Sequence, residues 1–414
     1  MFADRTNWNL EMNRLAAALA EHRAAGKRVI DLTASNPTRC GFEYDHDAIL
    51  QALANPDALV YEPNPKGLES ARRAVADYYA ARGEAGGNAA MPAVGISIDD
   101  IILTTSTSEA YSFVFRTICN PGDEILIPQP SYPLFDFLAD INDVKPVRYP
   151  LVYDHGWLID FHSVEKAITS RTRGVIVVHP NNPTGHFCKP QEMEKLSEIC
   201  AAREMAVIAD EVFLDFVIEE FSDGRETGGN AGERSRSKKL SASLAANSKA
   251  LTFTMSGLSK ICGLPQMKAA WLVTSGPEPL KSQALLRLEV IADTYLSMNA
   301  PVQLAIPAFL AQRHKFQEQL RLRVQRNLAE LDRQLARHDR CSRLKVEGGW
   351  NAVVRGPSTQ SDEDLAVELL TKGGVHVHPG HFYDFSADGY LVVSLITPEQ
   401  EFVSGIEFLL AINP

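Results

Sequence analysis

The most informative stretch of this chain is residues 251–265, LTFTMSGLSKICGLP. Its first residues form an apolar, β-branched run that is typical of a buried strand, and small, hydroxylated and glycine residues follow. Lys260 is therefore expected in a loop just beyond the end of a strand. A lysine in such a place can act as a nucleophilic amine, because partial burial destabilises its ammonium form.

Two segments upstream of Lys260 place polar groups in the same way. Residues 174–185, GVIVVHPNNPTG, predict a buried strand that breaks into a turn carrying Asn182. Residues 206–213, AVIADEVF, predict a second buried strand that ends at Asp210. Open α/β sheets collect their ligand-binding groups at the carboxyl ends of their strands. We therefore expect an amide, a carboxylate and a lysine to meet at one edge of a sheet.

These three segments, in this order and at this spacing, resemble the fold-type I pyridoxal-phosphate enzymes of the class I/II aminotransferase family. The resemblance covers nearly the whole chain. It implies an α/β fold, with a large domain built on a mostly parallel, seven-stranded-type sheet covered by helices, and a smaller α+β domain. The implied boundaries are an N-terminal arm with part of the small domain (1–45), a large cofactor-binding domain (46–300) and a small C-terminal domain (301–414).

The resemblance assigns roles to the residues at the strand ends. Lys260 would form a Schiff base with pyridoxal 5′-phosphate and then move a proton on the substrate. Asp210 would face the pyridine nitrogen and keep it protonated, and Asn182 would donate to the phenolic oxygen. Phe213 stands where many relatives carry a tyrosine that also donates to this oxygen. We expect the imine to stay protonated to higher pH than in those relatives, which a spectrophotometric titration would test. The alternative is that Phe213 only packs.

The cofactor phosphate needs hydrogen-bond donors and positive charge. Hydroxyls are concentrated where the predicted strand 101–103 gives way to a helical pattern, and the start of a helix can bind an anion. Ordinary helix capping by the same hydroxyls is the alternative interpretation. Lys268 stands where relatives have an arginine, so it would supply charge without a bidentate fork. The phosphate-site candidates are Ser106, Thr107, Ser108, Ser256, Ser259 and Lys268.

Two tyrosines complete the cofactor site that the resemblance implies. Tyr132, within PSYP, matches the aromatic residue that stacks on the pyridine ring. Tyr61, within YEPNPKG, matches a tyrosine that relatives send to the phosphate of a partner subunit. The second match implies a homodimer with shared active sites.

One position near the C-terminus departs from the family pattern. Relatives place an arginine that binds the substrate carboxylate where this chain has Val392, in GYLVVSL. Either another basic residue binds the carboxylate or the substrate has none at the reacting carbon. The candidates are Arg39 and Arg355, and we favour Arg39 because family members bring that first loop over the substrate.

Composition is consistent with a globular enzyme. The 414 residues are 45% hydrophobic and carry a formal charge of −11, which argues against nucleic acid as a partner. The six cysteines have no metal-type spacing and suit a reducing cytoplasm, and no segment has the length of a membrane span. His376, His378 and His381 lie close together in the sequence, but we predict no metal there.

Three functions fit the sequence. The first is transamination between an amino acid, or a related amine, and a 2-oxo acid. The second is β-elimination by a C–S lyase, which would use the same lysine and cofactor. The third is a non-catalytic ligand sensor, suggested by Phe213, Lys268 and Val392. Retention of Lys260, Asp210 and Asn182 favours catalysis. The identity of the substrate does not follow from the sequence, because specificity residues come from loops and from the other subunit.

Overall fold

The computed structural model describes residues 1–84, 95–218, 242–296 and 298–412. The sequence itself predicts a small-residue loop at 83–93 and a long, polar surface connection at 222–247. Both lie mainly outside the described residues.

Three sheets are built from strands distributed along the described residues. The strands are β1 (Ile30–Asp31), β2 (Ile101–Thr104), β3 (Glu124–Gln129), β4 (Lys145–Tyr153), β5 (Trp157–Ile159), β6 (Thr172–Val178), β7 (Ala206–Asp210), β8 (Thr252–Gly257), β9 (Ala270–Ser275), β10 (Ser342–Arg343), β11 (Asn351–Arg355), β12 (Val375–His376), β13 (His378–Pro379) and β14 (Tyr390–Ser394).

The large sheet has the strand order β2-β9-β8-β7-β6-β3-β4-β5. Strands β8, β7, β6, β3 and β4 are parallel to their neighbours in this series, whereas β9 is antiparallel to both strands beside it. The prediction of a mostly parallel sheet is confirmed. The eighth strand is β5, which folds back on β4 as an antiparallel hairpin and extends the seven-stranded arrangement at one edge.

Helices alternate with these strands. They are α1 (Arg14–Ala24), α2 (His46–Leu53), α3 (Glu69–Glu84), α4 (Thr107–Ile118), α5 (Phe135–Asp140), α6 (Phe161–Ala167), α7 (Pro190–Ala202), α8 (Leu258–Ile261), α9 (Leu280–Tyr295), α10 (Ala300–Leu335), α11 (Asp362–Gly373) and α12 (Glu399–Ile412).

The large sheet is buried on both faces. One face packs on α4 and α9 through side chains such as Phe113 and Leu288, and the other packs on α7 through Leu196. Every residue of β7 and β8 is buried, which explains why these strands are continuously apolar in the sequence instead of alternating.

The remaining strands form a smaller α+β region near the C-terminus. Its four-stranded sheet has the order β10-β11-β14-β13. Strand β1 from the N-terminal segment pairs in parallel with β12, so the two ends of the chain contribute to one layer. The long helix α10 packs its first half in the core of the large region and its second half in the core of the small one. The exact domain boundaries at 45/46 and 300/301 stay predictions.

Over the described residues, no helix combines the length and the apolar character that crossing a membrane requires.

Candidate active site

Three neighbouring parallel strands deliver the central residues of the site. Strand β6 leads into the turn with Asn182, β7 ends at Asp210, and β8 leads directly into α8, which carries Lys260. Because β6, β7 and β8 are adjacent and parallel, their carboxyl ends lie at one edge of the sheet. The structure therefore brings these three strand ends together.

Lys260 lies in a largely apolar setting. Its Nζ is 4.6 Å from the centre of the Trp350 ring and 5.6 Å from that of Phe213. The two rings are packed edge to face, with centroids 4.9 Å apart. Burial lowers the pKa of the Lys260 amine to about 8, and the nearby negative charge of Asp210 opposes this shift only in part. At neutral pH an appreciable fraction of this amine is therefore unprotonated.

Asp210 is a buried carboxylate with a donor on each oxygen. Its Oδ2 accepts a hydrogen bond of 3.1 Å from the hydroxyl of Tyr111, and its Oδ1 accepts one of 3.2 Å from the backbone N–H of Val212. Burial raises its pKa to about 6, while these two donors and the charge of Lys260 act in the opposite direction. The carboxylate is thus ionised at neutral pH in a place where a cationic partner stabilises it further.

Asn182 is oriented by the small sheet. Its Oδ1 accepts a hydrogen bond of 2.7 Å from Nδ2 of Asn351, the first residue of β11. This contact leaves the amide nitrogen of Asn182 as the group that can donate elsewhere. The neighbouring residue Asn181 closes the turn, since its side chain accepts from the hydroxyl of Thr184 at 2.8 Å.

The hydroxyl cluster after β2 lies at the start of α4. Ser106 is the N-cap, and its Oγ accepts from the backbone N–H of Glu109 at 3.1 Å. The carboxylate of Glu109 in turn accepts from the N–H and the hydroxyl of Thr105. Capping by Ser106 is therefore what the structure shows, and Thr107 and Ser108 form the first turn, where helix N–H groups point outward.

The other residues that are predicted to bind the phosphate differ in their exposure to solvent. Ser256 is buried in β8 and its hydroxyl donates to the backbone oxygen of Glu211 at 3.3 Å. Ser259 precedes Lys260 and is partly accessible. Lys268 is exposed and has a left-handed backbone, with φ of 51°.

The two predicted tyrosines are both accessible. Tyr132 lies close enough to Asp210 for the carboxylate charge, together with burial, to raise the pKa of its phenol. Tyr61 is 78% exposed and lines a surface cleft together with Val60 and Leu296. An aromatic side chain this exposed is available to a second subunit.

The two candidate arginines lie at opposite ends of the small sheet. Arg39 is exposed in a short 3-10 helix that follows β1. Its loop is held by the hydroxyl of Ser394, which donates to the backbone oxygen of Ala34, and Ser394 pairs in register with Asn351. Arg355 lies at the other end of β11, paired with Tyr390. At about 3.3 Å per residue, four residues separate it from Asn351 by roughly 13 Å.

Position 392 is filled by a buried valine. Val392 packs in an apolar cluster with Val353 and Tyr383 and pairs with His378 across β13 and β14. His378 accepts from or donates to the hydroxyl of Tyr383 at 2.9 Å, and His376 lies 3.4 Å from Asp31. Within the described ranges, no group of three or more His, Cys, Asp or Glu side chains is arranged to hold a metal ion.

Three residues of this site are not predicted from the sequence. Tyr111 belongs to a helical pattern with no further signal, and Trp350 and Asn351 belong to no recognisable motif. The pair Gly348-Gly349 in front of them was the only local signal, because two glycines permit a close approach of backbone to another segment. In the structure Gly349 N–H donates to the backbone oxygen of Phe216 at 2.8 Å, which docks this segment on the large region.

Comparison with known proteins gives a consistent result. The family model for aminotransferase class I and II matches residues 27–401. The glutamate-pyruvate aminotransferase AlaA of Haemophilus influenzae is 26% identical over 381 residues, covering 89% of this chain and 87% of that protein. The alanine aminotransferase of Mycobacterium tuberculosis is 27% identical over 402 residues, covering 94% and 86%.

Solved structures share the fold. The alanine aminotransferase from Pyrococcus furiosus superposes with a TM-score of 0.84 at 22% identity, over 100% of this chain and 99% of that one. An aminotransferase from Escherichia coli superposes with a TM-score of 0.81 at 22% identity, over 100% and 98%. With the family model matching most of the chain and the strand ends carrying a lysine, a carboxylate and an amide, this protein belongs to the class I and II aminotransferase family and has its fold-type I architecture.

Proposed function

We propose that the protein is a pyridoxal 5′-phosphate-dependent aminotransferase in which the amine of Lys260 forms a Schiff base with the cofactor. The observation that carries this proposal is the placement of the Lys260 amine beside the buried carboxylate of Asp210 at the ends of two adjacent parallel strands, where burial lowers the pKa of the amine to about 8. A base is most effective when its pKa lies near the working pH, so Lys260 suits both attack on a carbonyl and proton transfer.

The donor set fits this cofactor. Asp210 would hold the pyridine nitrogen, since a buried carboxylate with a raised pKa is stabilised by a cationic N–H partner. Asn182 would donate its amide N–H to the phenolic oxygen, and Tyr132 would cover the ring. The first turn of α4, with Thr107 and Ser108, would bind the phosphate, with Ser106 as its cap.

Fewer contacts support the remaining cofactor residues. Ser259 and Lys268 are accessible beside α8 and would add donors and charge to the phosphate. Ser256 would act through the backbone of Glu211, to which its hydroxyl is bound. Phe213 would form the wall of the site opposite Trp350.

When bound, the cofactor accepts the electron pair released from the α-carbon of the substrate. Lys260, once its amine is free, would carry the proton released from the substrate α-carbon, because it is the basic side chain at these strand ends. Trp350 and Phe213 would line the site beside this amine, whose pKa is lowered by burial.

We propose that the substrates are an amino acid and a 2-oxo acid. Support comes from the relatives, which are named as alanine and glutamate-pyruvate aminotransferases. Arg39 is our candidate for the carboxylate, since its loop is tied through Ser394 to the end of β11 that contacts Asn182. Arg355 lies at the opposite end of that strand and is the weaker candidate.

Reductive trapping tests the covalent step. Incubation with pyridoxal 5′-phosphate followed by borohydride should leave one reduced adduct on the peptide that contains Lys260, as measured by mass spectrometry. The variant Lys260→Arg should carry no adduct. An adduct confined to other lysines in the unaltered protein would contradict the proposal.

Product analysis separates transamination from C–S lyase activity. With an amino donor alone, an aminotransferase converts its cofactor once to pyridoxamine 5′-phosphate and releases one equivalent of 2-oxo acid without ammonia. A lyase would turn over continuously on a sulfur-bearing amino acid and release ammonia and pyruvate. If neither product pattern appeared with any donor, a ligand sensor would be the favoured function.

We also propose that the enzyme is a cytoplasmic homodimer. Exposed apolar side chains lie on α9 and on the loop before α3. These two elements are neighbours, since Nζ of Lys66 in the loop is 3.4 Å from the carboxylate of Glu289 on α9. An exposed apolar surface of this kind is typical of a protein interface. Its members are Leu59, Val60, Tyr61, Leu286, Val290 and Leu296. The six cysteines are free, as suits a reducing compartment.

A further inference from the structure

The hydrogen bond between Tyr111 and Asp210 is a contact between two buried side chains from distant parts of the chain. The donor and the acceptor oxygens are 3.1 Å apart, and the residues are 2% and 8% exposed. The other carboxylate oxygen accepts from the backbone N–H of Val212. With a donor on each oxygen, the carboxylate has one fixed rotation about its terminal torsion.

One of the two donors is a backbone group and the other is a side chain, so only the second can be removed by substitution. The N–H of Val212 belongs to the backbone two residues after Asp210 and is present whatever the side chain is. The phenol of Tyr111 comes from α4 and is the side-chain donor that reaches this carboxylate. A neutral donor favours the charged form of a buried carboxylate without neutralising its charge toward a third partner.

Tyr111 is itself held in place. Its ring packs edge to face against Phe135, with centroids 5.5 Å apart, and tilted against Phe115 at 5.9 Å. Burial, followed by the charge of Asp210, raises the pKa of its phenol well above the ordinary range. The phenol is therefore protonated and can donate at neutral pH.

Helix α4 also links this contact to the proposed phosphate site. Tyr111 follows Thr107 by four residues, so the two lie on one face of the helix about one turn, roughly 5 to 6 Å, apart. One rigid helix thus presents the first-turn N–H groups at its start and the phenol one turn later.

We propose that Tyr111 is a positioning residue, whose phenol fixes the rotation of the Asp210 carboxylate and keeps it ionised for the ring nitrogen of the cofactor. This inference rests on the proposed function. It assigns to α4 the binding of both ends of the cofactor, the phosphate directly and the ring nitrogen through Asp210.

Other titratable groups surround Asp210 and must be separated from Tyr111 in any test. Lys260 faces it from α8 and Tyr132 from the loop after β3. Glu211 is the next residue, but its carboxylate accepts from the hydroxyl of Ser243 and the N–H of Leu244, and its pKa is raised to about 7 by burial. A second carboxyl therefore titrates close by.

The test compares Tyr111→Phe with a matched control, Tyr149→Phe. Tyr149 is a buried tyrosine of the same region whose hydroxyl donates to the backbone oxygen of Ile176 at 2.7 Å, away from Asp210. Each variant removes one buried hydroxyl and leaves the ring. Thermal unfolding would first establish that both variants are folded.

The first readout uses cofactor-free protein. The carboxyl band of Asp210 is followed by infrared spectroscopy against pH and assigned by its loss in Asp210→Asn, which separates it from Glu211. Tyr111→Phe should raise the pKa of Asp210 by about one unit, and Tyr149→Phe should leave it unchanged. An unchanged Asp210 pKa in Tyr111→Phe, or an equal shift in Tyr149→Phe, would overturn the proposal.

The second readout uses the enzyme loaded with pyridoxal 5′-phosphate. In Tyr111→Phe the acidic limb of the kcat profile should move to higher pH by the same amount, with kcat about tenfold lower and KM within twofold. A fall in kcat matched by an equal rise in KM, with no movement of the acidic limb, would also overturn the proposal. Failure of the proposed function would look different, since reductive trapping would then leave Lys260 without an adduct in the unaltered protein.

Discussion

At the scale of single residues, the environment of Lys260 determines what the site can do. The amine lies among aromatic rings that solvate a charge poorly compared with water, and its nearest countercharge is the carboxylate of Asp210. Burial therefore outweighs attraction and the pKa falls to about 8. A lysine in water, with a pKa near 10.4, would be almost fully protonated at neutral pH and a poor nucleophile.

This lowered pKa makes a prediction about stability in the cofactor-free protein. Between pH 8 and the ordinary value of 10.5, the unfolded chain binds a proton at Lys260 that the folded chain does not. The contribution of Lys260 to the free energy of unfolding therefore rises with pH across that window. Below pH 8 the folded protein carries the full free-energy cost of burying the charged amine. Lys260→Met should be more stable than the unaltered protein by on the order of 2 kcal/mol at pH 7, as measured by urea unfolding.

The advantage of Lys260→Met should fade as the pH approaches 10.5. The control is Lys315→Met, which removes a lysine whose side chain is 77% exposed and should change stability little at any pH. A Lys260→Met variant that is equally stable or less stable at pH 7 would show that the amine is not buried as a charge.

Arg39 and Arg355 provide a second prediction at this scale. Arg39→Ala should raise KM for the amino acid about 10- to 100-fold, which corresponds to the loss of a hydrogen-bonded ion pair. Arg355→Ala is the matched control and should leave KM within twofold, because it lies at the far end of β11. Steady-state kinetics with an amino acid and a 2-oxo acid measure KM for both variants. A larger rise in KM for Arg355→Ala than for Arg39→Ala would assign the binding of the substrate carboxylate to Arg355.

At the scale of elements, the turn of residues 181–185 joins the large and the small regions. Gly185 has φ of +70°, and a Cβ there would lie 2.3 Å from Cγ2 of Val346 and 2.8 Å from the backbone oxygen of Gly348. The segment 346–351, which includes Trp350 and Asn351, packs directly against this turn. The glycine is needed both for its backbone conformation and for the close approach of that segment.

Gly185→Ala is predicted to destabilise the protein and to loosen the site. We expect a loss of about 3 kcal/mol or more in the free energy of unfolding, since the new methyl group meets a side chain and a backbone oxygen. Gly26→Ala is the matched control, because Gly26 has a similar φ of +67° but no heavy atom within 4 Å of the added Cβ. It should cost only the backbone strain, about 1 kcal/mol. Equal losses in chemical denaturation would show that the contact with Val346 is unimportant.

At the scale of the whole molecule, segments from both ends of the chain pack together beside the large sheet. Strand β1 pairs with β12, and the loop after β1 is held by Arg323 of α10, which donates to the backbone oxygens of Cys40 and Ile396. Because α10 packs in both regions, it fixes the loop with Arg39 relative to the large sheet. In the proposed homodimer, the exposed apolar surface that includes α9 would face the second subunit.

The proposed homodimer predicts that a charge on α9 will separate the subunits. Val290, which is 67% exposed and one helical turn from Leu286, lies on the exposed apolar surface. Val290→Glu should shift the molecular mass from that of a dimer toward that of a monomer in analytical ultracentrifugation, and the loss of Tyr61 from the partner's site should lower cofactor affinity. Leu322→Glu, at a 38% exposed position on α10, is the control. A monomeric unaltered protein would contradict the proposal.

Local sequence patterns predict a mostly parallel sheet and place Lys260, Asp210 and Asn182 at or just beyond the ends of three of its strands. Asp210 is the last residue of an apolar strand, and Lys260 and Asn182 lie three and four residues beyond the ends of two others, so local patterns place all three at the carboxyl edge of a parallel sheet. The hydroxyl cluster before α4 was visible for the same reason, although only the structure showed that Ser106 is used as the cap.

Which side chains adjust the pKa and orientation of those groups follows only from the packing of the folded chain. Tyr111 meets Asp210 across 99 residues and Asn351 meets Asn182 across 169, and Trp350 reaches Lys260 from the small sheet. Contacts between a helix interior or another sheet and a strand end leave no periodicity in the sequence, because they depend on how whole elements pack. The same packing raises the pKa of Asp210 and lowers that of Lys260, since desolvation exists only once the chain is folded.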